Sequence, residues 1–197
     1  MKIKRLFDLL FALSGILTFG ILILICIILA TIDTKSFGIF TQKRIGQYGK
    51  SFRIFKIKTL HDKTKTSTRL GSFFRSTKLD ELPQLFNILN GSMSLVGPRP
   101  DVPGYADELT GNNKLMLKVR PGITGLASLQ YRNEEQLLNA QTFPLQYNDA
   151  VIWPDKVRIN NWYVRNHTII LDLKILFYTI FPRFFELDKF IRQDSVK

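Results

Sequence analysis

Residues 75–100 read RSTKLDELPQLFNILNGSMSLVGPRP, and the interpretation of the whole chain turns on this stretch. Two adjacent carboxylates, Asp80 and Glu81, head a run in which Leu82, Leu85, Phe86 and Leu89 recur at i, i+3, i+4 and i+7, the apolar face of a short helix. Asn90-Gly91 can end that helix, and Val96-Gly97-Pro98-Arg99-Pro100 makes a stiff turn carrying one cation. Paired acids, flanking arginines and a fixed loop suit phosphoryl chemistry on a doubly charged substrate, where positioning and charge stabilisation carry the reaction. A plainer role competes for the same residues. Pro83 lacks an N–H and is tolerated only in a first helical turn. Asp80 could then be an N-cap worth about 1 kcal/mol, with Glu81 complementing the helix dipole.

Outside that stretch, charge is the strongest signal. The 197-residue chain carries 28 Lys and Arg against 16 Asp and Glu, a net charge of +12, which points to an anionic partner: phosphates, nucleic acid or an acidic membrane surface. Twelve of the cations fall within residues 35–78, beside a single acid, Asp62. The length suits one domain with a modest core. Cys26, the one cysteine, lies in an apolar run, and His61 and His167 are the only histidines. A disulfide framework and a Cys/His metal site are thereby excluded, and the body is expected in a reducing, cytosol-facing compartment.

Lys2, Lys4 and Arg5 precede residues 9–32, which hold no charge and span about 36 Å as a helix. The run is too long for the apolar core of a cleaved signal peptide, and no small-x-small cleavage site follows it. It is a membrane element, either a full span or a helix that enters and turns back. Cations at both ends suit the second form, with both ends in the cytosol.

Further on, residues 38–44 and 51–58 read as two short strands around the Gly46-Gln47-Tyr48-Gly49 turn, a small β-hairpin. Residues 59–68 form a polar loop, 70–75 a short helix, 102–111 a short helix and turn, and 113–119 another helix. Residues 125–131 are apolar and half-buried, and 134–149 are helical in character. Residues 157–181 make a longer helical region, with Trp162, Tyr163, Ile169, Ile170, Leu173, Leu176 and Phe177 on its apolar side and Pro182 as its breaker. Phe184, Phe185 and Phe190 then alternate with Arg183, Lys189 and Arg192, the pattern of a helix lying in the headgroup plane.

Three words carry a resemblance: Leu79-Asp80-Glu81-Leu82-Pro83-Gln84-Leu85-Phe86-Asn87, then Met93-Ser94-Leu95-Val96-Gly97-Pro98-Arg99-Pro100, then Arg120-Pro121-Gly122-Ile123-Thr124-Gly125. In this order and separation they closely resemble the signature of the bacterial sugar transferases, small monotopic phosphoglycosyl transferases that start glycan assembly on a polyprenyl phosphate. The similarity runs from about Lys4 to Phe181. It implies a mostly helical α+β fold. Residues 1–34 would form a re-entrant membrane helix, and 35–197 a compact cytosolic catalytic domain with the hairpin and amphipathic interfacial helices. The protein would sit at the cytoplasmic face of the bacterial inner membrane. In the family the re-entrant helix is broken by a Ser-Pro pair. This sequence departs there, having no proline before Pro83 and only Ser14-Gly15 and Gly20 as weak points.

The same resemblance implies that Asp80 is the nucleophile and Glu81 its dyad partner, binding Mg2+, activating the lipid phosphate, or both. The substrates would be a UDP-sugar and polyprenyl (undecaprenyl) phosphate, with UMP as leaving group. An anionic membrane is the expected surface, a homodimer is compatible with the pattern, and nucleic acid is not expected. Arg75, Arg99 and Arg120 are the candidate phosphate clamps, since guanidinium pairs bidentately with phosphate oxygens. Gly97, Pro98, Pro100, Pro121 and Gly122 form the loop scaffold beside them. Lys58 and Arg44 match cationic positions of the family pattern and are expected to hold anionic lipid or nucleotide. Ser92, Leu126, Ser128 and Asn160 depart from the usual pattern, at positions tied to recognition of the sugar. The rival class is a non-enzymatic, membrane-tethered polybasic anion binder. It gives no reason for two acids to sit among the cations.

Overall fold

The computed structural model describes residues 2–191, so Arg192 of the C-terminal pattern lies outside the described residues. The chain divides into two compact units, residues 1–46 with 50–95 and residues 47–49 with 96–197. The fold is α+β and mostly helical, with a long apolar N-terminal helix and small sheets.

The first unit is built on α1, Lys2–Thr34, a single unbroken helix of 33 residues, about 50 Å long at 1.5 Å per residue. Its C-terminal half turns a stripe at three- and four-residue spacing inward. Cys26 and Ala30 pack on Ile57 of β2 and Phe74 of α2, elements defined below. Nearer its start, Gly15 lets α1 approach Leu85 so closely that an added Cβ would come within 3.1 Å of that side chain. The opposite face is open: Leu17 is 78% exposed, and Leu10, Ile21, Leu24, Ile28 and Ile32 are exposed with it. Such a continuous apolar surface is stable only against a non-aqueous phase. Among the described residues α1 is the one helix long and apolar enough to cross a membrane, which marks it as the membrane-associating element.

Lys35 ends α1 by turning to φ 52°. Thr31 Oγ1, bonded to Ile27 O at 2.7 Å, accepts Gly38 N at 2.9 Å, and Gly38 lies against the Ile27 carbonyl where no Cβ would fit. The hairpin follows as expected. Ile39–Ile45 (β1) and Ser51–Ile57 (β2) pair antiparallel, Ile39 opposite Ile57 and Ile45 opposite Ser51. Tyr48 and Gly49 take positive φ at its tip. Arg69–Ser76 (α2) is capped by Thr68, whose hydroxyl accepts Gly71 N at 2.8 Å.

The helix expected to start at the acid pair is a correction. Asp80 and Glu81 sit in a 3-10 turn, Leu79–Glu81, and the α-helix proper is Gln84–Leu89 (α3). Glu81 N bonds Lys78 O at 3.1 Å and Leu82 N bonds Leu79 O at 3.2 Å, both three-residue closures. Pro83, with no N–H, cannot draw the turn into four-residue spacing. The buried face also differs from the expected one: Gln84, Leu85, Asn87 and Ile88 point inward, whereas Phe86 is exposed. Asn87 fastens α3 to β2, accepting Phe55 N at 3.0 Å and donating to Arg53 O at 2.8 Å. Asp8 fastens α1 to the chain after α3. It is 1% exposed, and its carboxylate accepts Ser94 Oγ at 2.9 and 3.0 Å and Leu95 N at 3.1 Å.

A three-residue strand, Ser94–Val96 (β3), carries the chain onward into the second unit, where Gly122–Thr124 is β4. The expected helices at 102–111 and 113–119 are 3-10 segments, Ala106–Glu108 and Gly111–Lys118. Leu126–Gln130 (α4), Glu134–Asn139 (α5) and Pro144–Tyr147 (α6) lead through a π-turn at Asn148–Ile152 into Trp153–Asn166 (α7). The helical region expected over 157–181 consists of two helices, α7 and Ile169–Ile180 (α8). His167 is extended at φ −64°, ψ 127°, and Thr168 starts α8 by accepting Leu171 N at 3.1 Å. Tyr163, Leu171, Asp172 and Ile175 are buried in this unit, and Tyr163 donates to Asp172 Oδ1 at 2.6 Å. Ile170, Leu173, Phe177 and Ile180 are exposed along α8, and Asp188–Ile191 (α9) closes the described chain.

Candidate active site

The acid pair lies in the first unit. Asp80 is 7% and Glu81 8% exposed. Lys78, in the left-handed region at φ 60°, turns the chain from α2 into the 3-10 turn that presents them. Across from the pair stands Lys56 of β2. Its Nζ is 3.0 Å from Glu81 Oε1 and 3.9 Å from Asp80 Oδ2. Asp80 caps nothing: its Oδ1 is buried and accepts no hydrogen bond from the described residues. The N-cap role weighed against catalysis is therefore not the one this carboxylate plays.

Burial pushes the Asp80 carboxyl above the usual carboxylate range, with the negative charge of Glu81 adding to the rise. Lys56, then Lys78 and Arg75, pull the other way without cancelling it. A poorly hydrated carboxylate with one bare oxygen is an unusual thing to keep in a folded chain. Buried acceptors are nearly always paired, and an orphan costs about 1–3 kcal/mol.

The other expected site residues are placed as follows. Arg75 is exposed on α2, its Nε donating to Thr59 Oγ1 at 3.0 Å. Lys58 is drawn to Asp62 at 2.6 Å, an attraction that holds the Asp62 carboxyl below its usual range. Arg44 donates to Gln42 Oε1 at 2.7 Å on β1.

In the second unit the loop scaffold is brought together. Gly97 N donates to Thr124 O at 3.0 Å and Gly122 N to Pro98 O at 2.8 Å, so two words separated in sequence run side by side. A Cβ on Gly97 would come within 2.5 Å of Arg120 O, which is why glycine is needed at this crossing. Arg99 and Arg120 thus leave neighbouring backbones, flanked by the buried Pro98, Pro100 and Pro121.

Lys56 is the contact that sequence reasoning passed over. It is one of twelve cations within 35–78, and only its contacts with Glu81 and Asp80 single it out. Its i, i+2 spacing from Lys58, the residue just after β2, is the signal that could have placed both on one face of the extended chain.

Comparison with known proteins agrees with these words. Residues 1–186 match the bacterial sugar transferase family. This chain belongs to that family. It is 35% identical to the uncharacterized sugar transferase EpsL of Bacillus subtilis, over 91% of this chain and 86% of the relative. It is 36% identical to the UDP-glucose:undecaprenyl-phosphate glucose-1-phosphate transferase of Klebsiella pneumoniae, over 93% of this chain but 40% of that protein. To the UDP-N-acetylgalactosamine-undecaprenyl-phosphate N-acetylgalactosaminephosphotransferase of Aeromonas hydrophila the identity is 31%, over 90% and 43% of the two chains. The chain therefore spans less than half the length of these last two enzymes.

Proposed function

We propose that the protein transfers a sugar-1-phosphate from a UDP-sugar to a polyprenyl phosphate, undecaprenyl phosphate by analogy with the named relatives, as the opening step of a bacterial glycan. The observation that carries this reading is the bare, buried Oδ1 of Asp80 beside Lys56 and Glu81. Asp80 Oδ1 attacks the phosphorus that bears the sugar. A new O–P bond forms, the P–O bond to the uridine monophosphate breaks, and UMP leaves with the electron pair. An oxygen of the lipid phosphate then attacks the same phosphorus and displaces Asp80, which is restored as carboxylate. The sugar-to-phosphate bond is untouched, and the kinetics are ping-pong.

Poor solvation raises the reactivity of the Asp80 carboxylate, and the charge of Lys56 favours its ionised form. Glu81, held by Lys56, activates the lipid phosphate by taking up its proton. Arg75, Arg99 and Arg120 serve as phosphate clamps, and Lys58 and Arg44 as cationic lining for nucleotide or lipid headgroups. Mg2+ fits the donor set. The acids are hard oxygen donors, one has an unused acceptor, and no third His, Cys, Asp or Glu joins them among the described residues. A cation that takes most ligands from phosphate and water needs no more. Asp80 and Glu81 would hold it, and when bound it supplies charge neutralisation of the diphosphate.

In this reading α1 is a re-entrant element whose two ends face the cytoplasm, and exposed Ile170, Phe177 and Ile180 on α8 meet the lipid interface. The test is UMP release from a panel of UDP-sugars by the full chain in detergent, followed by intact-protein mass without lipid acceptor. A gain of one phosphosugar on the wild type, absent from Asp80→Asn, is expected. A folded Asp80→Asn protein with normal turnover would remove Asp80 from the reaction.

A further inference from the structure

Two buried amides lie on α3, and they differ in one respect. Asn87 is saturated: Oδ1 accepts Phe55 N, and Nδ2 donates to Arg53 O and, at 3.2 Å, to Ser92 Oγ. Its role is accounted for by packing. Gln84 is 2% exposed, yet its Nε2 is buried with no hydrogen-bond partner among the described residues. An enclosed position of that shape would be filled at less cost by Met or Leu, since a buried donor without a partner forfeits its hydration for nothing.

Position adds to this. Leu82 (φ −54°, ψ −37°) and Pro83 (φ −62°, ψ −14°) are both right-handed helical, so the turn bearing the acids runs directly into α3. Gln84 is three residues from Glu81 and four from Asp80, the spacing at which side chains share a helical face. One turn thus holds a buried acceptor with no donor, Asp80 Oδ1, and a buried donor with no acceptor, Gln84 Nε2. They do not satisfy one another.

We propose that Gln84 donates its amide N–H to a non-bridging phosphoryl oxygen of the group that Asp80 receives. The inference rests on Asp80 being the nucleophile. A phosphoryl group meets both needs at once: its phosphorus accepts the carboxylate oxygen, and its charged oxygens are strong acceptors for an N–H. A hydroxyl of the sugar would satisfy the amide less well and need not come within a helical turn of Asp80. An amide also has a merit that a third cation would lack. It stabilises negative charge growing on the phosphoryl oxygens without drawing charge from the attacking carboxylate.

The experiment measures single-turnover UMP release by the full chain in detergent, with UDP-glucose and UDP-N-acetylgalactosamine as probes, for wild type, Asp80→Asn, Gln84→Met and Gln84→Glu. Gln84→Met keeps the volume and removes the donor. Its rate of UMP release should fall by about 100-fold or more, the scale of a lost transition-state donor, with KM little changed and thermal stability equal or higher. Gln84→Glu regains a donor only when protonated, so its rate relative to wild type should rise as pH is lowered. A Gln84→Met rate within twofold of wild type overturns the proposal, as does a Gln84→Glu ratio flat with pH. Failure of the underlying reading looks different: UMP release would then be absent from wild type or unaffected by Asp80→Asn.

Discussion

The ammonium of Lys56 lies 3.0 Å from Oε1 of Glu81, a strand cation set upon the second acid of the pair. Both side chains are largely enclosed, so the attraction is weakly screened, and neither charge is left alone in the interior. The same ammonium reaches Asp80 at 3.9 Å and is the strongest influence holding that carboxyl down against burial.

Replacing Lys56 should therefore be felt first in the pH profile. In Lys56→Met the Asp80 carboxyl rises further, so activity on acidification is lost at a higher pH than in wild type. The rate at neutral pH should drop by about 10-fold or more. Lys56→Arg, which keeps the charge, should move the acid limb less. A pH–rate series on the three proteins checks this, and superimposable acid limbs would detach Lys56 from the pair.

Asp80→Asn should abolish turnover yet stabilise the fold. The folded carboxyl titrates above its unfolded value, so the benefit of burying it uncharged is complete at low pH and is lost as pH rises through the folded value. Above that folded value the wild type bears an ionised, under-bonded carboxylate, and Asp80→Asn does not. The substitution should raise the unfolding temperature at pH 8, and the gap should close as pH is lowered through the acid range. Thermal scans at a series of pH values decide it.

Lys78 occupies a left-handed position that glycine would take without strain. Lys78→Gly should stabilise the chain by up to about 1 kcal/mol, since a side chain there costs about 1–2 kcal/mol. It also removes a charge that lowers the Asp80 carboxyl, so its acid limb should move upward, as in Lys56→Met but less. Denaturant unfolding measures the first effect and the pH–rate profile the second.

Asp8→Leu makes α1 more apolar and should nonetheless weaken the protein. Leu95 N and Ser94 Oγ lose their buried acceptor, a loss of about 2–4 kcal/mol for two such groups. Thermal unfolding of the full chain in detergent should show the decrease, and Asp8→Asn, which keeps an acceptor, should recover part of it.

Much of this was legible in the residues. The hairpin was expected over 38–44 and 51–58 and forms over Ile39–Ile45 and Ser51–Ile57, because its turn residues and β-branched neighbours act locally. The long apolar helix followed from an uncharged run, and α2 from the short helix expected over 70–75. The family words located the acid pair. What was not legible depends on partners distant in sequence. Twelve cations in one tract look alike until the turn Leu79–Glu81, packed on β2, sets the acids beside Lys56. Asp8 reads as a flank of an apolar run until Ser94 closes on it 86 residues later. The division of α7 from α8 has no glycine or proline to announce it, only Thr168 turning its hydroxyl onto Leu171 N. The inward face of α3 was misjudged because two amides, Gln84 and Asn87, occupy positions where apolar residues would be sought.

The packing of Cys26 and Ala30 on Ile57 and Phe74 has a consequence for biogenesis. The membrane helix emerges from the ribosome before any strand it will cover. β2, α2 and α3 can bury their apolar faces only once that helix is in place, and Asp8 must wait for Ser94 before its charge is satisfied. Placement of α1 and completion of the acid-bearing unit are then successive stages of one folding reaction. Cutting away residues 1–34 would strip that unit of a wall and yield an aggregating fragment, where removal of a mere tether would have released a soluble enzyme.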